Sequence, residues 1–226
     1  YLAIYSGSTI RDALIGLSSD FGQYLSSSPF HPHRQQASTS YIGGLSVVAV
    51  RHDICRKLQG YAYGRGIRRE VLRQYCTEVE YINAGRYWYS LGFKNDKGGY
   101  EIRSHSFKGC SAPKSITSVG VPRACPYLVF EGFFDFLSAV QLGWFRPEVN
   151  NAVILNSTSM IEEGIAALRC ATRIVCFLDN DASGKASFQR IADVYPAAED
   201  YSFSFLPAKD LNERLTYLMN NSKIRG

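Results

Sequence analysis

The second half of the chain alternates between short apolar runs and longer amphipathic stretches. The apolar runs are too short for helices and rich in β-branched and aromatic residues, which is typical of buried strands. We predict such strands at 127–131, 152–156, 173–179 and 201–206. Helices are predicted between and after them, at about 134–142, 160–170, 184–195 and 210–220. This alternation indicates an α/β fold with a mostly parallel sheet and helices on both faces.

The first half has a different pattern, in which two short helical segments precede aromatic-rich runs. The helical segments lie near 54–58 and 68–76, and the runs lie at 81–82, 87–93 and 100–107. Asn95 to Gly99 (NDKGG) separates the last two runs and is a hairpin turn signal. We therefore expect a small α+β unit with an antiparallel sheet.

The N-terminal stretch is rich in Ser, Gly, His, Pro and Gln, which predicts a loosely structured lead with at most one short helix near 9–17. The pair His31 and His33 has a spacing that a metal site could use, although a surface loop is the simpler interpretation. The predicted division is a lead over 1–50, the α+β unit over 51–124 and the α/β domain over 125–226.

The net charge of +5 conceals an asymmetry between the two halves. Residues 1–125 contain 16 Lys and Arg against 8 Asp and Glu, whereas the remainder contains 9 against 12. A basic first half and an acidic second half suit a polyanion that is bound on one side and processed on the other. A solvated surface that leans basic would give the same totals.

The six cysteines include no C-x-x-C pair, so zinc is not expected in this piece. No apolar run approaches the length needed to span a membrane, and no signal peptide opens the chain. We therefore expect a cytoplasmic protein with free thiols and no membrane partner. Because the sequence begins at Tyr1, we expect it to be a piece of a longer chain.

Acidic residues follow two of the predicted strands at the point where each strand ends. Glu131 follows the first strand, and Asp179 and Asp181 follow the third. The carboxyl ends of neighbouring parallel strands converge on one crevice, so these carboxylates should lie close together. Clustered carboxylates repel unless a cation lies among them, and oxygen ligands suit Mg²⁺ or Mn²⁺. A helix-capping role is the simpler alternative for Asp181.

Three ordered motifs in this half resemble the Toprim domain of primases, topoisomerases and some nucleases. They are Glu131-Gly132-x-x-Asp135, Asp179-x-Asp181-x-x-Gly184 and Lys209-Asp210. The resemblance implies metal ligation by Glu131, Asp179 and Asp181, and it gives Glu131 a second possible role as the general base for the attacking 3′-hydroxyl. It adds Asp135 and Asp210 as metal ligands, although both also sit where acids commonly cap helices.

The first half resembles the core of bacterial DnaG-type primases. The matching elements are Tyr63-Gly64-Arg65-Gly66-Ile67, Leu91-Gly92-Phe93, Arg103 and Ala112-Pro113-Lys114. Phe130 to Ser138 and Lys209 to Glu213 look more like shortened primase-type proteins of bacterial mobile elements. The resemblance implies metal-dependent synthesis of short RNA primers from nucleoside triphosphates on single-stranded DNA, with a replicative helicase or mobilisation proteins as partners.

Basic residues are the candidates for binding triphosphate or template, and they are Arg65, Arg103, Lys108, Lys114 and Lys185. Each is also an ordinary exposed cation in the simplest interpretation, and Lys108 and Lys185 have no motif to support them. Asn212 departs from the family, because cellular primases tend to have an acid there. A non-catalytic DNA-binding module and a Toprim nuclease therefore remain alternatives to a primase. A type I topoisomerase would need a further domain that a chain of this length cannot hold.

Overall fold

The computed structural model of the protein describes residues 45–222. The helix predicted near 9–17 and the pair His31 and His33 lie outside the described residues. Within them, the chain forms two five-stranded sheets, one in each half.

The first unit is an antiparallel sheet with two helices. Its elements are β1 Ser46–Arg51, α1 Arg56–Gly64, α2 Arg69–Tyr75, β2 Thr77–Asn83, β3 Arg86–Lys94, β4 Tyr100–Arg103 and β5 Lys108–Cys110. The strands lie in chain order, each antiparallel to the next. The predicted turn between β3 and β4 is held by Asn95, whose Oδ1 accepts the backbone N–H groups of Lys97 and Gly99 at 3.1 and 2.8 Å.

The second unit is a mixed, mostly parallel sheet with helices on both faces, as predicted. Its elements are β6 Thr117–Val119, β7 Cys125–Phe130, α3 Phe133–Gln141, β8 Asn151–Ile154, α4 Ile161–Ala167, β9 Ala171–Phe177, α5 Ala182–Val194, β10 Glu199–Asp200 and α6 Leu211–Ser222. The strand order is β10-β9-β7-β8-β6. Four strands are parallel, and β6 pairs with β8 in the antiparallel direction.

The prediction of a strand at 201–206 is wrong. The edge strand β10 has only two residues, and Ser202–Phe205 forms a 3₁₀ helix instead. Side chains satisfy the backbone there in place of a neighbouring strand. Asp200 Oδ1 accepts the N–H of Ser202 at 2.8 Å, and Asn180 Nδ2 donates to the carbonyls of Ser202 and Ala208 at 3.0 Å each.

Alternate residues of the parallel strands face two separate cores. Leu128 and Phe130 of β7 face α3 and α6, whereas Tyr127 and Val129 face α4 and α5. Both faces of the strand are buried, which explains why β7 is an uninterrupted apolar run.

The aromatic first turns of α3 join the two units. Phe133 stacks on Phe93 of β3 with ring centroids 5.1 Å apart, and Phe134 meets Tyr61 of α1 edge-on at 5.7 Å. Aromatic pairs of this kind contribute about 0.5–1.5 kcal/mol each beyond the area they bury. The helix that starts directly after Glu131 is therefore fixed against both sheets at once.

Candidate active site

The sheet order brings the two acid-bearing strand ends side by side. Strands β7 and β9 are parallel neighbours, with Phe130 paired to Phe177, so Glu131 and Asp179 emerge at the same edge. From β7 the chain passes to β8 on one side, and β9 lies on the other. This reversal of winding direction leaves a crevice at the carboxyl ends of the strands, where ligands bind in open α/β sheets.

Glu131 lies half-buried in this crevice. Burial is the main reason why its pKa is raised to about 7, and the charges of Asp179 and Asp181 add to the effect. Its Oε2 atom is buried and has no hydrogen-bond partner among the described residues. A buried carboxylate oxygen without a donor is costly, and a cation is the natural partner for it.

Lys209 supplies the positive charge that the two aspartates require. Its Nζ lies 3.1 Å from Asp179 Oδ2 and 3.0 Å from Asp181 Oδ2. Burial raises the pKa of Asp179, and the Lys209 ammonium opposes that rise. The sequence predicts a role for Asp210 in the Lys209-Asp210 motif but none for Lys209.

Asp181 is both the N-cap of α5 and a member of the acidic group. Its Oδ1 accepts the N–H groups of Ser183 and Gly184, both at 2.9 Å, at the start of α5. The hydrogen bond from Gly184 is the largest cause that lowers the pKa of Asp181, and the contact with Lys209 is the second. The backbone of Gly184 runs so close to Asp179 that a Cβ would lie 2.0 Å from the Asp179 carbonyl oxygen. The glycine therefore lets α5 start directly against the acidic strand end.

Asp135 and Asp210 lie close to the same group. Asp135 is buried in the first turn of α3, and its pKa is raised well above the usual range by burial first, then by Asp210 and Asp179. Asp210 Oδ1 accepts the N–H of Glu213 at 2.6 Å, so it also caps α6. Asp179 links the five predicted acids, because its charge raises the pKa of Glu131 and Asp135, and the charges of Asp181 and Asp210 raise its own. As they stand, no three His, Cys, Asp or Glu side chains within residues 45–222 are placed to hold a metal ion.

Two of the predicted basic residues of the first unit lie over aromatic rings at the start of α3, the helix that follows Glu131. The Arg65 guanidinium carbon lies 4.4 Å from the centre of the Phe134 ring, and that of Arg103 lies 5.7 Å from the Phe133 ring. Arg65 is close enough to Asp135 to oppose the rise in its pKa. Burial lowers the pKa of Arg103, which lies beside Glu101 at 3.7 Å.

The other predicted cations divide into two kinds. Lys108 and Lys114 are both exposed. They lie close enough to Glu101 to oppose, together with Arg103, the rise that burial causes in its pKa. Lys185 is exposed on α5 and forms no ion pair with a described residue. The four predicted basic residues of the first unit therefore form one group. Lys185 lies on α5 in the second unit and is not part of it.

Asn212, which the sequence marked only as a departure, connects the acidic and basic groups. Its backbone N–H donates to Asp135 Oδ1 at 3.1 Å, and its side-chain oxygen accepts from Arg65 Nε at 2.5 Å. Gly66 makes this approach possible, because its φ of +83° and missing side chain let the turn after α1 lie against Leu215 and Met219 of α6.

Comparisons with known proteins agree with this geometry. Residues 128–215 match the profile of the Toprim-like family, and residues 48–112 match a domain of unknown function (DUF8464). No curated protein matches the sequence. The second half of the chain is thus similar to the Toprim-like family, and the matched residues include all five predicted acids.

Solved structures extend the likeness to the first unit. The chain is similar to the primase fragment of the bacteriophage T7 primase-helicase protein, with a TM-score of 0.56, 16% identity, and coverage of 84% of this chain and 81% of that one. It is also similar to a chain in the bacteriophage T7 lagging-strand DNA polymerase complex with primase domains of two gp4 subunits bound to an RNA/DNA hybrid and dTTP. There the TM-score is 0.51, with 16% identity and coverage of 72% and 87%. The protein therefore has a primase-like fold.

Replacing Lys209 should reveal whether a metal competes with its ammonium group. In Lys209→Met, Asp179 and Asp181 lose their counter-charge, so the melting temperature in EDTA should fall. Mg²⁺ should then bind about tenfold more tightly than to the unchanged chain, a typical size for coupling between competing charges. Titration of the melting temperature with MgCl₂ measures this. Lys185→Met is the matched control, and equal Mg²⁺ responses in both variants would contradict the prediction.

Glu131 should make stability depend on pH. Because its pKa in the folded state is about 7 instead of 4.5, ionisation destabilises the fold, and the penalty is full above pH 7 and absent below 4.5. Glu131→Gln should therefore melt roughly 2–4 °C higher than the unchanged chain at pH 8 in EDTA, allowing for solvent screening of a half-buried group. The difference should shrink as the pH falls toward 4.5. A constant difference across this range would show that the carboxyl does not titrate in it.

Proposed function

We propose that this protein is a nucleotidyltransferase of the primase type, which synthesises short RNA primers from nucleoside triphosphates on single-stranded DNA. The observation that carries the proposal is the placement of five acids at the sheet switch point, with Arg65 of the first unit close to Asp135 and Arg103 close to Arg65. Primer synthesis needs a polyanionic template, a triphosphate and a site that stabilises charge at the transferring phosphorus. The two groups of opposite charge meet these needs across one junction.

The acidic residues fit a divalent ion such as Mg²⁺ or Mn²⁺. The Oε2 atom of Glu131 lacks a donor, and Asp179 and Asp181 already hold a cation in the form of the Lys209 ammonium. Glu131, Asp179 and Asp181 would hold the ion, with Asp135 and Asp210 beside them. When bound, it would stabilise the negative charge that builds on phosphate oxygens during transfer.

Glu131 is also the best-placed general base. A base works best when its pKa lies near the working pH, and the pKa of Glu131 is about 7. It is therefore suited to accept the proton of the attacking 3′-hydroxyl. Asp135 is buried, so it would act by fixing local charge and not by contacting the sugar.

The basic residues divide the remaining work. Arg65 and Arg103 are held over aromatic rings at the junction, so they suit the triphosphate. Lys108 and Lys114 are exposed and suit the template backbone. A mobile-element source and a helicase or mobilisation partner rest on the sequence resemblance alone. A role for Lys185 rests only on its place in the sequence just after Asp179 and Asp181.

A non-catalytic DNA-binding module is the second candidate. The specific observation in its favour is that Lys209 already neutralises Asp179 and Asp181 without a metal. The unpartnered Glu131 oxygen weighs against it, because a fold that needs only Lys209 gains nothing from a third buried carboxylate.

Removing single charges from the acidic group separates the two candidates. Asp179→Asn and Glu131→Gln keep shape, so both should fold and bind single-stranded DNA as before. If the protein is a primase, incorporation of labelled nucleotides with Mg²⁺ or Mn²⁺ should fall by about 10²-fold or more, since positioned acid–base and electrostatic groups contribute at least that much. Asp193→Asn, which changes an exposed carboxylate on α5, is the matched control. Absence of synthesis by the unchanged full chain under both metals would leave the binding module as the function.

Binding of single-stranded DNA should weaken steeply with salt, because the basic residues displace counterions from phosphates. Replacing Lys108 and Lys114 together by Ala should flatten the slope of log affinity against log salt by about 1.4, at about 0.7 for each lost phosphate contact. Fluorescence anisotropy with a labelled oligonucleotide measures the slope. Arg169→Ala, an exposed charge at the end of α4, should leave it unchanged. An unchanged slope in the double variant would place the template elsewhere.

A further inference from the structure

Asn212 is the second residue of α6, and only 1% of its surface is exposed. Its side-chain nitrogen donates to the Arg65 carbonyl oxygen at 2.8 Å and to Ser138 Oγ at 2.9 Å. Its side-chain oxygen accepts from Arg65 Nε at 2.5 Å. Both N–H groups and the oxygen of the amide are therefore used, inside the protein and across the junction of the two units.

The chemistry of these partners requires an amide at this position. The Ser138 hydroxyl donates its own hydrogen to the Phe134 carbonyl at 2.7 Å, so its oxygen can only accept from Asn212. The Arg65 carbonyl also can only accept. An ionised Asp offers no donor to either and would place a second carboxylate beside buried Asp135, so it would leave two buried acceptors unpaired.

The same contacts leave part of Arg65 free. Asn212 takes the Nε hydrogen, and the Phe134 ring lies under the guanidinium carbon at 4.4 Å, so the plane of the group is fixed. The two terminal nitrogens of Arg65 form no hydrogen bond or ion pair with a described residue. A fixed guanidinium with two free nitrogens is suited to bind two oxygens of one phosphate.

We propose that Asn212 is a positioning residue, which holds the Arg65 guanidinium for the substrate triphosphate and must be Asn and not Asp. Its backbone N–H holds Asp135 in the acidic group, and its side chain holds Arg65 in the basic group. One residue thus sets the distance between the two groups. The identity of the ligand rests on the proposed function, whereas the coupling between Asn212 and Arg65 does not.

The test measures binding of tripolyphosphate to the full chain by isothermal titration calorimetry in EDTA, so that no metal ion contributes. Arg65→Ala should weaken binding by about 10-fold or more, the usual size for hydrogen bonds to a charged group. Asn212→Ala and Asn212→Asp should weaken it nearly as much. The Arg65→Ala, Asn212→Ala double variant should bind no more weakly than Arg65→Ala alone, because Asn212 acts through Arg65.

A buried amide elsewhere distinguishes positioning from simple stability. Asn150 accepts the N–H of Arg146 and donates to the Trp144 carbonyl, away from the site. Asn150→Ala should lower the melting temperature and leave tripolyphosphate affinity unchanged. If the Asn212 variants do not fold, Ser138→Ala carries the test. It removes one partner of Asn212, so it should cause a smaller loss of affinity that disappears when Arg65 is also Ala.

Three results would overturn the inference, namely wild-type affinity in Arg65→Ala, wild-type affinity in Asn212→Asp, or additive losses in the double variant. Where primer synthesis is measurable, Asn212→Ala should raise KM for the nucleoside triphosphate more than it lowers kcat. Coupled losses of tripolyphosphate binding in a full chain that makes no primer would refute the proposed function and leave the inference standing. Primer synthesis by the full chain, together with additive losses of tripolyphosphate binding in the Arg65 and Asn212 variants, would refute the inference and leave the proposed function standing.

Discussion

Repulsion among carboxylates at one sheet edge is the constraint on which the rest of the structure depends. Five acids converge where β7 and β9 end, and burial raises the pKa of three of them, Glu131, Asp135 and Asp179. Such a group is stable only if positive charge or hydrogen-bond donors reach it. The chain supplies the Lys209 ammonium, the N-termini of α5 and α6, and the backbone N–H of Asn212. Most of the local backbone geometry serves these contacts.

The junction between the two units has the opposite requirement, because it must hold cations close to those acids without neutralising them. The aromatic turns of α3 do this. Phe133 and Phe134 present ring faces to Arg103 and Arg65, which gives the guanidinium groups a binding surface that carries no full negative charge. A carboxylate in place of the Phe134 ring would have paired with Arg65, as Glu101 does with Arg103 at 3.7 Å. Apolar packing of the Phe133 and Phe134 rings therefore helps to keep the basic group apart from the acidic group.

The sequence predicts the parts of this arrangement that depend on period and strand order. Alternation of apolar runs predicts β7, β8 and β9, and the convergence of parallel strand ends predicts that Glu131 lies beside Asp179. The edge element at 202–205 was missed, because side-chain hydrogen bonds from Asp200 and Asn180 replace a strand ladder there. Hydrogen bonds from distant side chains to the backbone leave no periodic pattern in the sequence.

Distance along the chain also explains why the sequence does not predict the contacts of Lys209 and Asn212. Both follow the last strand by several residues, and their partners lie as many as 147 positions away along the chain. Sequence spacing identifies residues that share an element, whereas these two act between elements. Asn212 is instructive, since it was taken as the loss of an acid, and its three side-chain contacts show that an amide is what this junction can satisfy. A position that departs from a family pattern can therefore mark a changed connection between two groups as well as a lost function.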